Sequence, residues 1–145
     1  MVLFSKGILR CFNMDLLKIQ PDKERAKNIL SMTFLLEERI KLQNRKTMVA
    51  LILADYYEIT KEMITSVMLL DGYKPLSHKD LVEYLALHYP EVGSYTLALI
   101  DELRILRNRI VYDGFSIDQD FLQRKETSFK EVIKKLRAIV EKKLK

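Results

Sequence analysis

Lys46-Thr-Met-Val-Ala-Leu-Ile-Leu-Ala-Asp-Tyr-Tyr-Glu-Ile-Thr-Lys-Glu-Met-Ile-Thr-Ser-Val-Met-Leu-Leu70, with Asp71-Gly72 directly after it, is the stretch that decides the fold. Val49, Ile52, Tyr56, Ile59, Met63, Val67 and Leu70 recur at three and four residues, the spacing that puts side chains on one face of a helix. Gly72 closes that helix, because glycine takes up the left-handed conformation at no steric cost. Met63 and Met68 read as core filling, the usual use of a flexible thioether at helical spacing.

Toward the N-terminus, Asp22 after Pro21 is placed to cap a first helix by accepting hydrogen bonds from its free amides. Ile29, Met32, Phe34, Leu36 and Ile40 give that helix an apolar face as far as Leu42, and Gln43-Asn44-Arg45 breaks the pattern. Residues 1–13 show no clear period and read as a peripheral extension to a single domain spanning 14–145. Toward the C-terminus, Ser77 with Asp80 three residues on is a weak capping box for a short helix that Pro90 stops. A fourth helix starts at Gly93-Ser94, carries Leu99, Leu103, Leu106 and Ile110, and closes at Asp113-Gly114 with Phe115 folding back. A fifth follows Ser116 or Asp118 and carries Phe121, Leu122, Phe129, Val132, Ile133, Leu136, Ile139, Val140 and Leu144, with Glu126/Lys130 and Glu131/Lys135 as helical ion pairs. The spacing predicts an all-α fold, an antiparallel up-and-down bundle of about five helices.

Composition agrees with a packed domain: 48% of the residues are hydrophobic and 31% charged, with only four glycines and three prolines. No apolar run approaches the length a membrane span needs, and the lone Cys11 cannot form an internal disulfide. A cytoplasmic protein is the expectation. The net charge of +5 is concentrated in Arg124–Lys145. Such a stripe can attract phosphate backbones, or it can be a solvated helix face complementing the macrodipole.

The sequence has no glycine-rich phosphate loop, paired cysteines, His-Glu-x-x-His or serine elbow. His78 and His88, ten residues apart with no cysteine nearby, do not make a metal site, and no cofactor is expected. The residues with chemical promise are at the end of the fourth helix, Asp101-Glu-Leu-Arg-Ile-Leu-Arg-Asn-Arg-Ile-Val-Tyr-Asp-Gly114. Arg104, Asn108 and Tyr112 fall roughly 40° apart on an ideal helix. Arginines beside an asparagine and a tyrosine can hold a phosphate through charge-assisted hydrogen bonds. Asp101, one turn before Arg104, can pair with it instead. Arg107 and Tyr112 are separated by about 140°, so their meeting calls for a loosened helix end or a second chain.

Arg107-Asn108-x-x-x-Tyr112 resembles the Arg-Asn-x-x-x-His signature of HEPN domains, which are also bundles of four to five helices, and the likeness extends over roughly Met14 to Lys145. The resemblance implies a homodimer, a metal-independent ribonuclease or a nucleotide- or RNA-binding relative of one, and pairing with a minimal nucleotidyltransferase in a toxin–antitoxin system. It carries the motif arginine onto Arg107, the polar neighbour onto Asn108 and the histidine position onto Tyr112. RNA cleavage without metal needs a base for the 2′-hydroxyl proton and an acid for the leaving oxygen. Histidine, with a pKa of about 6.5, serves both roles, whereas tyrosine at about 10 is a poor base. The expectation is therefore a binding or partner module in which Arg104, Arg107 and Asn108 contact phosphate and Tyr112 donates a hydrogen bond or stacks. The alternatives are a toxin-type ribonuclease using Arg107 and Tyr112, with His88 a candidate to stand in spatially, and a structural adaptor.

Overall fold

The computed structural model describes the backbone of residues 2–3, 8–11 and 14–145, with side chains from Leu16 onward. Most of the expectation that 1–13 is peripheral falls outside the described residues. The fold is an all-α antiparallel bundle: α1 (Lys23–Leu42), α2 (Val49–Asp71), α3 (Lys79–His88), α4 (Ser94–Asp113) and α5 (Gln119–Leu144). Paired contacts fix the directions. The Asp22 amide bonds to the Leu69 carbonyl while Arg39 meets Asp55, Arg45 meets Glu126 while Arg137 meets Glu37, and Lys125 meets Glu102 while Lys135 meets Thr96, so α1 is antiparallel to α2 and to α5, and α4 is antiparallel to α5.

α2 is the central helix. Ile52, Leu53, Ile59, Met63, Ile64, Val67 and Met68 are almost wholly removed from solvent, so most of its circumference is core, as expected of a helix apolar on nearly every face. α2 starts three residues later than Lys46, because the Asn44 side chain accepts the Lys46 and Thr47 amides at 2.8 and 3.1 Å and holds a turn there. It ends at Gly72, whose φ is 88°. The Gly72 carbonyl accepts the Ile19 amide at 2.9 Å, and a Cβ at Gly72 would lie 3.1 Å from the Ile19 oxygen. The cap and the close approach both require glycine.

On α1, Asp22 accepts the Arg25 amide at 3.0 Å, the predicted cap. The predicted inner face is partly wrong. Ala26, Thr33, Leu36 and Ile40 are buried, while Met32 and Phe34 are 53% and 44% exposed. α3 begins with His78 in the cap position and no side-chain cap bond, so Ser77 does not cap it. Glu126 accepts hydrogen bonds from Arg45 and Tyr56 instead of pairing with Lys130, and Lys135 donates to Thr96 instead of Glu131. α5 starts at Asp118, which accepts the Phe121 amide at 3.0 Å.

A feature absent from the expected bundle is a small antiparallel sheet of strands β1 (Val2–Leu3), β2 (Ile8–Cys11), β3 (Met14–Lys18) and β4 (Tyr73–Pro75). β3 precedes α1 and β4 follows α2, with Leu17 opposite Lys74. Leu16 is fully buried in the bundle core, so the strand belongs to the domain.

Beneath the sheet lies a polar network. Asp71, at the end of α2, accepts the Tyr84 and Tyr89 hydroxyls at 2.6 and 2.7 Å and pairs with Lys143 at 2.5 Å. One carboxylate thereby joins α2, α3 and the end of α5. Burial and the Asp71 carboxylate push the Tyr84 hydroxyl far above its ordinary pKa, and burial brings Tyr89 to about 12. Both remain protonated donors. Burial by itself would lower the Lys143 pKa, but its hydrogen bonds to Asp71 and Tyr89 outweigh this and raise it.

Candidate functional site

α4 packs on α2 through Thr96, Leu99, Ile100 and Leu103. Beyond Leu103 its apolar stripe moves outward, with Leu106 and Ile110 only half-buried and Val111, Tyr112 and Phe115 exposed. This protrusion presents the motif to solvent. Gly114 (φ 64°) closes the helix and the Phe115 amide bonds back to the Arg109 carbonyl at 3.0 Å. The Arg109 guanidinium lies over the Phe115 ring, 4.2 Å from its centre.

Arg107 and Tyr112 meet without any loosening of the helix. α4 is regular through Asp113, yet Arg107 Nη1 lies 3.5 Å from the Tyr112 hydroxyl and 3.2 Å from Asn108 Oδ1. The length of the arginine side chain crosses the angular gap that the helical wheel shows. On its inner side the Arg107 guanidinium is 5.7 Å from the centre of the Tyr57 ring, and on its outer side 5.7 Å from that of Tyr112. Two tyrosine faces thus flank the cation. Among the described residues Arg107 makes no ion pair; its neighbours are neutral oxygens and rings.

Arg104 is differently placed. Its Nε and Nη2 donate to Asp101 Oδ1 at 3.0 and 2.9 Å. A part-exposed pair of this kind is worth only a few tenths of a kcal/mol, so an incoming phosphate can compete for the guanidinium. Lys61, on α2, is held by both Glu58 and Glu62.

Tertiary packing also brings His78 here. From the start of α3 its Nδ1 lies 3.3 Å from the Tyr57 hydroxyl, on the same tyrosine ring that supports Arg107. Burial, and then the positive fields of Lys61 and Arg107, hold the His78 pKa below its ordinary value. His88, the histidine considered from sequence, instead packs against Tyr84 with ring centres 4.5 Å apart. The pairing of His78 with Tyr57 arises from the packing of α3 over α2, which no local spacing encodes.

No family model matches this chain, and no curated protein or solved structure matches it either. Among the described residues there is no cluster of three metal-ligating side chains, and no helix is long and apolar enough to cross a membrane. The groups gathered at the Arg107 cluster are a guanidinium, an amide, two phenols and an imidazole. That set can bind an anion and stack on a flat ring, and the His78 imidazole, whose pKa burial holds down, can accept a proton.

Proposed function

We propose that this chain is a HEPN-like binding module that takes the phosphate of an RNA or nucleotide on Arg107. The observation that carries this reading is the Arg107 guanidinium, charged, lacking a carboxylate partner among the described residues and flanked by Tyr57 and Tyr112. Arg104 would join by leaving Asp101, and Asn108 would orient Arg107 through its Oδ1. Tyr112, 72% exposed, would stack on a base or donate to a phosphate oxygen. Binding of a fluorescein-labelled single-stranded RNA should weaken steeply between 50 and 200 mM salt, as phosphate contacts require. RNA binding that is absent, or indifferent to salt, would remove the proposal.

The same reading includes a homodimer, and a surface on α4 supports it. Ala98 and Ile105 are exposed and stand seven residues apart on α4, the spacing with which two helices pack along a seam. Such a seam would bring both copies of Arg107 to one groove. Ile105→Glu is expected to convert a dimer to a monomer in light scattering after gel filtration. A wild-type protein that is already monomeric at micromolar concentration would end the dimer reading. Pairing with a minimal nucleotidyltransferase remains part of the proposal through the family resemblance.

A second reading, metal-independent cleavage of RNA, is favoured by one observation: the imidazole of His78 beside Tyr57 and Arg107. A neutral imidazole can take the 2′-hydroxyl proton while Arg107 holds the phosphate. The 2′-oxygen then attacks phosphorus as the bond to the 5′-oxygen breaks, and the 5′-oxygen takes a proton from the solvent, to which the imidazolium returns the one it took, giving a 2′,3′-cyclic phosphate. In this reading cleavage in chelator is lost in His78→Gln and in Arg107→Ala. Cleavage that survives in His78→Gln and disappears in Tyr112→Phe would return the proton transfer to Tyr112.

A further inference from the structure

A cavity lies away from Arg107 and shares no lining residue with that cluster. It is a groove of about 550 Å³ between α1 and α5, within the size range of small-molecule sites. Two ion pairs mark its length, Arg45 with Glu126 and Arg137 with Glu37. Glu126 and Arg137 are eleven residues apart on α5, which is roughly 16 Å along the helix axis.

The groove wall between these pairs is apolar, formed by Ile40, Tyr56, Ile133 and Ala138. Its charged lining comprises five cations and three carboxylates. Two of the cations, Lys130 and Lys134, are one helical turn apart and exposed, and make no ion pair among the described residues. The Nε of Arg137, another lining residue, is one of two buried side-chain polar atoms among the described residues that have no hydrogen-bond partner. An unsatisfied buried donor is costly, but this one is shut off from solvent, so the free donors of the wall are the two lysines.

A polyanion such as RNA fits this arrangement poorly, since three carboxylates face it and much of the wall would be left against water. A purely apolar ligand would leave the two lysines unused. We infer that the α1–α5 groove binds a small amphipathic monoanion, a long-chain carboxylate being the simplest, with its apolar body on Ile40, Tyr56 and Ile133 and its head between Lys130 and Lys134. This site is independent of the phosphate reading of Arg107.

The test is an NMR titration of the full chain with dodecanoate below its micelle concentration, alongside acetate, which has the head alone, and 1-octanol, which has an apolar tail without the charge. Dodecanoate is expected to shift the amides of Ile40, Tyr56, Ile133 and Ala138 and to bind at least tenfold more tightly than either control. The double variant Lys130→Glu/Lys134→Glu should weaken dodecanoate binding at least tenfold. Both lysines are exposed, and circular dichroism would confirm the variant's helices. Dodecanoate that binds no better than acetate or octanol, or equally well to the double variant, overturns the proposal. So would an acidic amphipathic peptide that seats in the groove and is not displaced by dodecanoate, which would make the groove a protein-docking surface.

Discussion

Asp71→Ala is expected to destabilise the fold by about 3 kcal/mol and to lower its thermal midpoint by roughly 6–12 °C. The carboxylate accepts two tyrosine hydroxyls and pairs with Lys143, at the junction of α2, α3 and α5. Tyr84 is 2% exposed and Tyr89 9%, so the alanine leaves two phenols with no acceptor and little access to water. Each unmet buried group costs about 1–3 kcal/mol. The Lys143 contribution is smaller, since its side chain is 31% exposed and screened. Tyr84→Phe, which removes one donor and leaves Asp71 its other partners, should cost about 1 kcal/mol. Thermal unfolding followed by circular dichroism checks both. An Asp71→Ala midpoint within a degree or two of wild type would mean that the network contributes little and that the sheet end of the bundle is held by apolar packing alone.

The bundle itself is legible in the sequence because it rests on period. On α2 the stripe is buried from Val49 to Val67 where the spacing places it, and on α5 so are Leu122, Phe129, Val132, Ile133, Leu136 and Val140, while Leu70 and Ile139 are partly buried. Gly72 and Gly114 close their helices in the left-handed conformation, as glycine at those points predicts. What period does not carry was missed. Tyr73-Lys74-Pro75 is too short to show alternation, and it becomes a strand only because Leu16 and Leu17 lie opposite it. Met32 and Phe34 sit at helical spacing on α1, but Thr33 and Leu36 turn inward and leave them outside. Glu126 looked like a partner for Lys130 along one helix, whereas the fold brings Arg45 and Tyr56 to it from elsewhere in the chain.

The Arg107 cluster was legible to the extent that it is local. Asn108 and Tyr112 do gather around Arg107, and Arg104 pairs with Asp101 as their spacing allows. The helical wheel argued against Arg107 meeting Tyr112 because it places Cβ atoms, not the far end of a long guanidinium. Tyr57 and His78 could not be read at all, since Tyr57 reaches Arg107, and His78 reaches Tyr57, across helix interfaces. The groove between α1 and α5 was equally hidden. It is a gap between two antiparallel helices, set by which side chains face each other.

Arg107→Glu is expected to reduce RNA affinity by well over tenfold, the largest effect foreseen on binding. The substitution removes the one arginine of the cluster that has no carboxylate partner among the described residues and puts a negative charge where the phosphate would sit. Losing a charge-assisted hydrogen-bonded contact costs about 1.5–3 kcal/mol, and tenfold corresponds to 1.4 kcal/mol. Like-charge repulsion adds to that loss. The fold should be unaffected, because the side chain is not part of the core. Arg107→Lys retains the charge but loses the planar fork, and should fall between wild type and Arg107→Glu. The decisive measurement is a fluorescence anisotropy titration of one labelled single-stranded RNA against wild type and Arg107→Glu at 50 and 200 mM salt. Salt-sensitive binding is expected of the wild type, and of the variant a loss of more than tenfold at low salt together with a shallower salt dependence. Equal affinity of the two proteins at both salt concentrations would contradict the phosphate reading of Arg107.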